Sequence, residues 1–367
     1  MKVDHSILEI RDLQVYRGGA AVLDIPHLDV HEGKVMSLIG PNGAGKSTLL
    51  LALSRLLKSV QGDIVFRGQT IDKNLSLVAY RRKIALVFQE PLLFNTTVFE
   101  NVASGLKIRG MGNSEIRDIV EEYMERFGIG HLAGRSAKKL SGGEAQRTSL
   151  ARAFATKPEI VFLDEPFSSL DPPTRESLVE DLDRILRETR TTTIMATHDQ
   201  MEALRLSDRI AVMNKGKIAQ IGTPEEVMNH PLDEFVASFV GVETILSGEI
   251  VKTGDGTVIC RVQNGEIEAV GDAKPGDKVV CCIRPEQVTL STILSRDGIS
   301  ARNTFPGKIV KISPMGLFCK ISLDCGFFLT AYVTIPSVEN LALEEGKSVF
   351  ASFKATAVHL IRRFAKE

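Results

Sequence analysis

The residues best suited to chemistry form the glycine-rich stretch GPNGAGKST, between the apolar segment KVMSLI and the helical pattern LLLALSRLL. It fits G-x-x-x-x-G-K-[ST], in which glycines let backbone N–H groups turn inward around phosphate oxygens. Lys46 would then reach the β- and γ-phosphates of a nucleotide, and Ser47 would bind Mg²⁺. The predicted nucleotide-binding residues of this loop are Gly40, Pro41, Asn42, Gly43, Ala44, Gly45, Lys46, Ser47 and Thr48.

Two acidic residues end a second apolar segment, IVFLDE. Ligands of an open α/β sheet bind at the carboxyl ends of its strands. Asp164 therefore suits the coordination shell of Mg²⁺, and Glu165 can accept a proton from an attacking water. Alone, such a strand end is often only a solvated terminus. The phosphate-binding loop in the same chain favours the catalytic interpretation.

Three further side chains have both a functional and a structural interpretation. His198, in ATHDQ, ends a strand expected beside that of the phosphate-binding loop, so its ring could contact the γ-phosphate, although a single histidine is more often structural. The amide of Gln89, in VFQEP, could contact both metal and water, or lie at the surface. Tyr16 could stack on adenine, and it equally fits a strand tyrosine packed in the core.

A second glycine-rich helix start occurs in LSGGEAQR. Backbone N–H groups are free at a helix start, and the helix dipole favours negative charge there. Ser141, Gly142 and Gly143 therefore form a second potential phosphate site. The chain already contains a stronger phosphate site, so this one needs a separate explanation.

The order of predicted elements indicates an α/β domain followed by an all-β domain. Up to about residue 235, short apolar runs alternate with helical patterns. Beyond about residue 243, short β-branched segments are separated by Asp-Gly, Asn-Gly and Pro-Gly turns. Buried strands are predicted at 34–40, 159–165 and 191–197, and amphipathic helices at 114–127, 144–157 and 173–189.

Composition excludes several protein classes. The 367 residues carry a net charge of −1, which argues against a broad nucleic-acid-binding surface. No apolar run approaches the length of a membrane helix, and the first ten residues are charged where a secretory signal would be apolar. A cytosolic location is expected. The five cysteines lack paired zinc-site spacing, which predicts buried free thiols.

The C-terminal domain contains a predicted internal repeat. GEIVK recurs as GKIVK, and PGDKVVCCIRPEQVTL aligns without gaps on EGKSVFASFKATAVHL, although generic β sequence can also match by chance. This alignment pairs Gly276 with Gly346 and Arg284 with Lys354. The predicted divisions are domains at 1–240 and 243–367, a helical subdomain at about 90–157, and repeats at about 245–292 and 299–364.

Taken in order, GPNGAGKST, FQE, LSGGEAQR, IVFLDEP, SSLD and ATHD resemble the motifs of the ATP-binding cassette (ABC) ATPases over the first two-thirds of the chain. The resemblance implies an α/β P-loop ATPase domain with a helical subdomain, which binds ATP and Mg²⁺. By the same resemblance, the catalytic residues are Glu165, His198, Lys46 and Gln89, the metal ligands are Ser47, Gln89 and Asp164, and Tyr16 contacts the nucleotide.

The resemblance also explains the second helix start. In ABC ATPases two domains pair head to tail, and the Ser-Gly-Gly helix start of one contacts the γ-phosphate held by the other. The residues implied to act in trans are Ser141, Gly142, Gly143, Glu144 and Asp171. Because this chain has one full motif set, the expected working unit is a homodimer that closes on two ATP molecules.

The C-terminal domain resembles the oligonucleotide-binding-like (TOBE) regulatory domain of importer ATPases, and its second repeat resembles a molybdate/tungstate-binding module through SARNTFPGKIVKI and SFKATAVHLI. The implied oxyanion site consists of the hydrogen-bond donors Ser300, Arg302, Lys354 and Thr356. Arg302 and Lys354 also fit surface cations at strand ends. The first repeat has Glu286 where the second has Thr356, and an acidic group disfavours an anion, so no site is predicted there.

This resemblance implies the ATP-hydrolysing subunit of an importer at the cytoplasmic face of the membrane. A separate permease would contact residues of about 90–110, and an extracytoplasmic solute-binding protein would complete the system. The expected cargo is tungstate or molybdate, with oxyanion feedback inhibition at the C-terminal domain. The alternatives are an importer ATPase for sulfate, iron, polyamine or sugar, and a non-transport ABC ATPase acting on nucleic acid or ribosomes.

Overall fold

The computed structural model describes residues 5–58, 60–294 and 299–363. Contacts divide the chain into two compact units, Met1–Pro224 and Glu225–Glu367. Among the described residues, no helix combines the length and the apolar character that a membrane crossing requires.

The first unit contains two β-sheets. Its strands are β1 (Ser6–Arg17), β2 (Ala20–His31), β3 (Val35–Ile39), β4 (Val60–Phe66), β5 (Gln69–Thr70), β6 (Ile84–Val87), β7 (Ile160–Asp164), β8 (Thr192–Ala196), β9 (Arg209–Asn214) and β10 (Lys217–Gly222). One sheet has the order β10-β9-β3-β8-β7-β6 and is parallel except for β10. The other has the order β2-β1-β4-β5 and is antiparallel. The α/β prediction is confirmed, and the three predicted strands are β3, β7 and β8.

Residues 5–58 and 60–224 contain seven α-helices. They are α1 (Lys46–Leu53), α2 (Leu77–Arg81), α3 (Val98–Ile108), α4 (Asn113–Arg126), α5 (Gly142–Ala155), α6 (Pro172–Thr189) and α7 (Gln200–Leu206). The three predicted amphipathic helices correspond to α4, α5 and α6, with ends within two residues of the prediction. The apolar positions recurred every three to four residues along these segments, and those positions are buried.

The parallel sheet separates two apolar cores. Val161 and Leu163 of β7 pack into a core that includes α3 to α6, and Ile160 and Phe162 pack into a core that includes α1, β1 and β2. Alternate residues of one strand face opposite sides of a sheet, so β7 contributes to both cores. This burial on both faces explains why the strands of the sheet are continuous apolar runs in the sequence. The sheet is therefore a fixed platform for the side chains at its carboxyl edge.

The second unit is mainly β-structure, which confirms the predicted all-β C-terminal fold apart from three short helices. Its strands are β11 (Thr244–Gly254), β12 (Thr257–Val262), β13 (Gly265–Val270), β14 (Lys278–Ile283), β15 (Thr289–Ser291), β16 (Asn303–Pro314), β17 (Phe318–Asp324), β18 (Phe328–Thr334), β19 (Ser348–Phe353) and β20 (Val358–Arg362). The helices are α8 (Pro224–Asn229), α9 (Glu234–Phe239) and α10 (Ile335–Asn340).

The two five-stranded sheets of this unit exchange their last strands. One sheet has the order β13-β12-β11-β14-β20, and the other has the order β15-β19-β16-β17-β18. Each predicted repeat thus supplies four strands to one sheet and a fifth strand to the other. The residues before each exchanged strand form a 3₁₀ turn, Pro285–Gln287 in the first repeat and Ala355–Ala357 in the second.

The strand pairing of the two repeats has the same register. Gly248 lies opposite Val279 in the first sheet, and Gly307 lies opposite Val349 in the second. These are the positions that the sequence alignment equates. A Cβ added to either glycine would lie within 2.5 Å of a cysteine sulfur, so both positions require the smallest residue.

The helices α8 and α9, which precede the first strand of the C-terminal domain, belong to the β unit. Sequence analysis places the domain boundary at 240–243, whereas the contacts divide the chain after Pro224. The reason is a set of polar contacts within the second unit: the guanidinium of Arg284 donates hydrogen bonds to the carbonyl oxygens of Met228 and Val240. All five cysteines lie in the second unit as free, buried thiols, as predicted.

Candidate active site

The phosphate-binding loop follows β3 and ends where α1 begins. A Cβ on Gly40 would lie 2.3 Å from the carbonyl oxygen of Met213, and one on Gly45 would lie 2.7 Å from Leu23. Both glycines have positive φ values, +153° and +104°. Only glycine fits these two positions, and the loop therefore brings the free N–H groups of the α1 start to the edge of the sheet.

The rest of the loop is accessible from solvent. Pro41, Asn42 and Gly43 are exposed, whereas Ala44 is buried and its N–H donates to the carbonyl oxygen of Pro41 over 3.1 Å. Thr48 is half-buried in the first turn of α1. The loop thus presents its backbone outward while its two ends are fixed by packing.

Lys46 is the first residue of α1, and its side chain folds back over the loop. Its Nζ donates to the carbonyl oxygens of Gly40, at 2.8 Å, and Pro41, at 3.3 Å. The residue is only 5% exposed, and this burial lowers the pKa of the ammonium group, against the opposing effect of Glu165 and Asp164. The loop therefore holds a desolvated cation among backbone dipoles, where a phosphate would be a stronger partner.

Ser47 and Asp164 come together from different elements. The hydroxyl of Ser47, in the first turn of α1, donates to Oδ1 of Asp164 over 2.8 Å at the end of β7. Burial raises the pKa of Asp164, and the Ser47 hydrogen bond opposes that shift. A hydroxyl and a carboxylate in contact offer the oxygen ligands that Mg²⁺ prefers. These two predicted metal ligands therefore fit the ion.

Glu165 and His198 meet at the ends of adjacent strands, β7 and β8. Nδ1 of His198 lies 3.2 Å from Oε2 of Glu165. Glu165 has a φ of +44°, which is uncommon for a residue with a side chain, and its N–H donates to the carbonyl oxygen of Ala196 over 2.8 Å. The carboxylate side chain is 16% exposed and the imidazole 54%. A sheltered carboxylate is thus held next to a solvent-accessible ring.

The other two predicted nucleotide contacts lie at the surface. Nε2 of Gln89 donates to the hydroxyl of Ser168 over 3.2 Å, and that hydroxyl donates to the backbone carbonyl of Glu165 over 3.1 Å. The structure therefore connects Gln89 to the Glu165 turn and not to Ser47 or Asp164. Tyr16 is exposed and donates to Gln14, so the alternative of a core tyrosine is wrong.

The second helix start is a fully capped N-terminus. The hydroxyl of Ser141 accepts a hydrogen bond from the N–H of Glu144 over 3.3 Å, and Oε2 of Glu144 accepts one from the N–H of Ser141 over 2.8 Å. The Ser141 N–H bond holds the pKa of Glu144 below its ordinary value. Arg135 pairs with the other carboxylate oxygen at 3.0 Å. The N–H groups at the start of α5 are thereby held in a fixed orientation.

This helix start packs against the beginning of α6. Asp171 is the N-cap of α6, and its carboxylate accepts a hydrogen bond from the N–H of Thr174 over 3.1 Å. A Cβ on Gly143 would lie 2.5 Å from Cγ2 of Thr174, whereas one on Gly142 would meet nothing within 4 Å. Ser141, Gly142 and Asp171 are exposed. The starts of α5 and α6 are therefore adjacent, and three of the five residues predicted to act in trans are exposed there.

The predicted oxyanion residues do not converge on one site. Ser300 and Lys354 line a cavity of about 610 Å³, which we call the β19 pocket. Thr356 lines a different cavity, of about 580 Å³, together with Arg284; we call it the β14 pocket. Arg302 is exposed, with its Nε 3.6 Å from a carboxylate oxygen of Glu268. Of the four predicted residues, the structure therefore brings Ser300 and Lys354 into one cavity.

Strand exchange is the physical reason why these residues line different cavities. The 3₁₀ turn of each repeat precedes a strand that joins the other repeat's sheet, so Glu286 of the first repeat lies in the β19 pocket beside Lys354. Glu286 therefore lines the β19 pocket, where its carboxylate lies 3.6 Å from the guanidinium of Arg284, and it is not part of a separate site of the first repeat. Sequence analysis also missed the hydroxyl groups that line the β19 pocket, from Thr289, Ser291, Thr304 and Ser352.

Comparison with known proteins agrees with this architecture. Residues 23–168 match the family model described as ABC transporter, and residues 299–360 match the TOBE domain model. The chain is 37% identical to the molybdate/tungstate import ATP-binding protein WtpC of Pyrococcus horikoshii, over 90% of this chain and 93% of that protein. It is 34% identical to the spermidine/putrescine import ATP-binding protein PotA of Thermotoga maritima, over 89% of both.

A third relative and a solved structure give the same family. The Fe(3+) ions import ATP-binding protein FbpC of Streptomyces avermitilis is 38% identical over 83% of this chain and 87% of that protein. The structure of cbiO1 from Clostridium perfringens, part of the ABC transporter complex cbiONQ, superposes with a TM-score of 0.57 at 30% identity, over 65% of this chain and 95% of that one. The chain therefore belongs to the family of ABC transporter ATP-binding proteins, which hydrolyse ATP to drive transport.

Proposed function

We propose that this chain is the ATP-hydrolysing subunit of an importer for tungstate or molybdate. It would work as a homodimer at the cytoplasmic face of the membrane, with a separate permease and an extracytoplasmic solute-binding protein. The proposal is supported by the full-length similarity to a relative named for molybdate/tungstate import. It is also supported by the polar lining of the β19 pocket in the C-terminal unit.

The chemical roles follow from the contacts at the edge of the parallel sheet. Lys46 exchanges the carbonyl oxygens of its own loop for the β- and γ-phosphates of ATP. Ser47 and Asp164 hold Mg²⁺, which neutralises phosphate charge when it is bound. Gln89, which reaches the Glu165 turn through Ser168, is assigned to the attacking water and the metal.

Proton transfer is assigned to the pair at the strand ends. The carboxylate of Glu165 accepts the proton of the attacking water as the water oxygen bonds to the γ-phosphorus and the bond from that phosphorus to the β–γ bridging oxygen breaks, which leaves ADP and phosphate. Nδ1 of His198 lies 3.2 Å from Oε2 of Glu165, and the exposed ring of His198 would contact the γ-phosphate. The low exposure of Glu165 keeps bulk water from competing for this carboxylate.

The second half of each site comes from the partner chain in this proposal. Ser141 would present its hydroxyl, and Gly142 and Gly143 their backbone N–H groups, to the γ-phosphate held by the other chain, because the N–H of Ser141 is already bonded to Glu144. Asp171 would cross the same interface. The support is the exposed position of Ser141, Gly142 and Asp171 on one surface with fixed caps. Hydrolysis removes the bridging γ-phosphate, and the dimer opens.

The assignment of the permease contact is supported by an exposed apolar loop. Leu92 and Phe94 are 59% and 56% exposed, yet their backbone is firmly held. The buried amide of Asn101 exchanges hydrogen bonds with both the N–H and the carbonyl of Phe94. Arg152 donates to the carbonyl oxygen of Leu92 over 2.8 Å. A rigid apolar projection of this kind fits a groove or helix of a membrane partner.

One observation carries the choice of cargo. In the β19 pocket an ammonium group, that of Lys354, lies among side-chain hydroxyls, including that of Ser300. Within the described ranges, no hydrogen-bond or ion-pair partner is found for this ammonium group, although the backbone carbonyl of Lys354 accepts from the N–H of Ala357. A free cation with several hydroxyl donors suits a tetrahedral dianion, and bound oxyanion would inhibit the ATPase by feedback. Glu286 also lines the pocket, but its carboxylate lies 3.6 Å from the guanidinium of Arg284, whereas a cationic polyamine would require unpaired acidic groups.

The second candidate is an importer ATPase for another solute. Relatives named for spermidine/putrescine and for Fe(3+) import match the chain at similar identity. Calorimetric titration of the full chain with tungstate, molybdate, sulfate and spermidine separates the candidates. The oxyanion proposal predicts binding of tungstate and molybdate, loss in Lys354→Ala, and no change in Lys274→Ala, an exposed control. If neither oxyanion binds, the ATPase assignment is unaffected, but the proposed cargo is contradicted.

A further inference from the structure

A buried carboxyl group lies next to the turn that carries His198. Glu202, in α7, is 8% exposed, and its Oε2 accepts a hydrogen bond from the hydroxyl of Thr197. Burial raises the pKa of Glu202, with the Thr197 bond acting in the opposite direction. Burying a carboxyl group lowers the stability of the fold unless the group is hydrogen-bonded. None of the steps described above uses it.

The hydrogen bonds around Thr197 restrain both sides of His198. The N–H of Thr197 donates to the carbonyl oxygen of Leu38 over 3.1 Å, at the end of the strand that leads into the phosphate-binding loop. The hydroxyl oxygen of Thr197 accepts from the N–H of Asp199 over 3.0 Å. Residues 197 and 199 are therefore linked to each other, and the residue between them projects from a closed turn.

The carboxylate of Asp199 completes the turn. Its Oδ1 accepts hydrogen bonds from the N–H groups of Met201, over 2.8 Å, and Glu202, over 3.3 Å, as the N-cap of α7. Its Oδ2 lies 3.8 Å from Arg175 of α6. The cap fixes the first turn of α7, and that turn carries the Glu202 side chain back to Thr197. Two interlocking sets of hydrogen bonds thus define the backbone on each side of His198.

We infer that Glu202 is a positioning residue for ATP hydrolysis: it orients the Thr197 hydroxyl, which closes the turn that places the His198 ring against Glu165. The hydroxyl has one proton, which goes to Glu202, and its oxygen is thereby left to accept the Asp199 N–H. Without the carboxylate acceptor the hydroxyl can rotate to another partner. The inference rests on the proposed role of His198 in hydrolysis.

Substitutions can separate positioning from packing. Glu202→Gln keeps an acceptor oxygen for Thr197, and Glu202→Leu removes it at similar volume. Thr197→Val replaces the hydroxyl with a methyl group of similar size, and Thr197→Ser keeps the hydroxyl. We expect Glu202→Leu and Thr197→Val to lower kcat about tenfold with little change in KM for ATP, because the His198 ring acts on the reacting phosphate. Glu202→Gln and Thr197→Ser should retain most of the activity.

The decisive measurement is a double-mutant cycle with His198→Ala in the full-length chain. If Glu202 acts through His198, adding Glu202→Leu to His198→Ala lowers kcat no further. Glu180→Leu, which changes an exposed carboxylate of α6, is the matched control and should leave kcat unchanged. A second cycle combines Thr197→Val with His198→Ala. It gives an independent result if Glu202→Leu has a folding defect.

Two outcomes would overturn the inference. One is a full additional loss when Glu202→Leu is combined with His198→Ala, because the residue would then act independently. The other is a kcat for both Glu202→Leu and Thr197→Val that equals that of the control. The single variant His198→Ala tests the proposed function separately. If it hydrolyses ATP at the normal rate, the role of His198 in the proposed function is contradicted.

Discussion

The imidazole Nδ1 of His198 lies 3.2 Å from Oε2 of Glu165, and the two residues reach this distance from the ends of neighbouring parallel strands. The strand that carries His198 also pairs with the strand that leads into the phosphate-binding loop. Glu165, His198 and the phosphate-binding loop are therefore held by one sheet whose two faces are buried. The proposed chemistry depends on side chains that are held rigidly at the carboxyl edge of this sheet. The role of each of these side chains can be tested separately.

Replacing the proposed base should remove turnover and keep ATP binding. Glu165→Gln retains size and hydrogen bonding but cannot accept the proton, so we expect kcat to fall by about 10²- to 10³-fold. Phosphate release and fluorescent-nucleotide binding measure the two properties. Glu188→Gln, an exposed carboxylate of α6, is the control. Hydrolysis by Glu165→Gln at the normal rate would assign the base to another residue.

The two glycines at the start of α5 should respond differently to alanine. In Gly143→Ala the new methyl would lie 2.5 Å from Cγ2 of Thr174, and overpacking of this kind lowers the free energy of unfolding by about 1–3 kcal/mol. Gly142→Ala meets no atom within 4 Å and should not destabilise the fold. Urea unfolding compares them. Thr174→Ser, which removes that methyl, should rescue Gly143→Ala; equal stability of both variants would contradict the packing described.

The charge of Asp164 should lower the stability of the nucleotide-free protein. Burial raises the pKa of Asp164, so the folded state binds its proton more tightly than the unfolded chain does. The stabilising contribution is therefore present at low pH and is lost as pH rises through the folded-state pKa.

At neutral pH, Asp164→Asn should consequently raise the unfolding midpoint by about 2 °C. It should also abolish the stabilisation that ATP with Mg²⁺ gives to the unaltered chain, because a metal ligand is lost. Thermal unfolding with and without ATP and Mg²⁺ measures both effects, with the exposed Asp118→Asn as control. A lower midpoint together with normal hydrolysis would contradict the assignment.

Oxyanion binding should have a stoichiometry of one per chain and should depend on the β19 pocket. Arg284 occupies the position in the β14 pocket that Lys354 has in the β19 pocket, but its guanidinium already donates to the carbonyl oxygens of Met228 and Val240. Titration calorimetry should give weakened binding for Ser352→Ala and unchanged binding for Thr356→Ala. The reverse result would restore the grouping expected from the sequence.

The chemistry at the sheet edge could be predicted from sequence because it depends on local order. Each functional residue there follows a buried strand, and parallel strands bring their carboxyl ends to one edge, as for Asp164 and His198. Glu202 could not be identified, because a glutamate in a short helix has no local mark of burial. The placement of Lys354 and Thr356 in different cavities could not be predicted, because the exchange of β15 and β20 between sheets is a long-range pairing that neither repeat encodes alone.

The measurement that tests the central claim most directly is cross-linking between chains. Asn42→Cys and Ser141→Cys are made in separate Glu165→Gln chains, which are mixed and treated with a short bismaleimide; the native cysteines are buried. The composite site predicts a 42–141 cross-link between chains with ATP and Mg²⁺, and none without nucleotide. Failure of this cross-link to form with ATP, in chains shown to bind the nucleotide, would contradict the role of Ser141 in the partner's site.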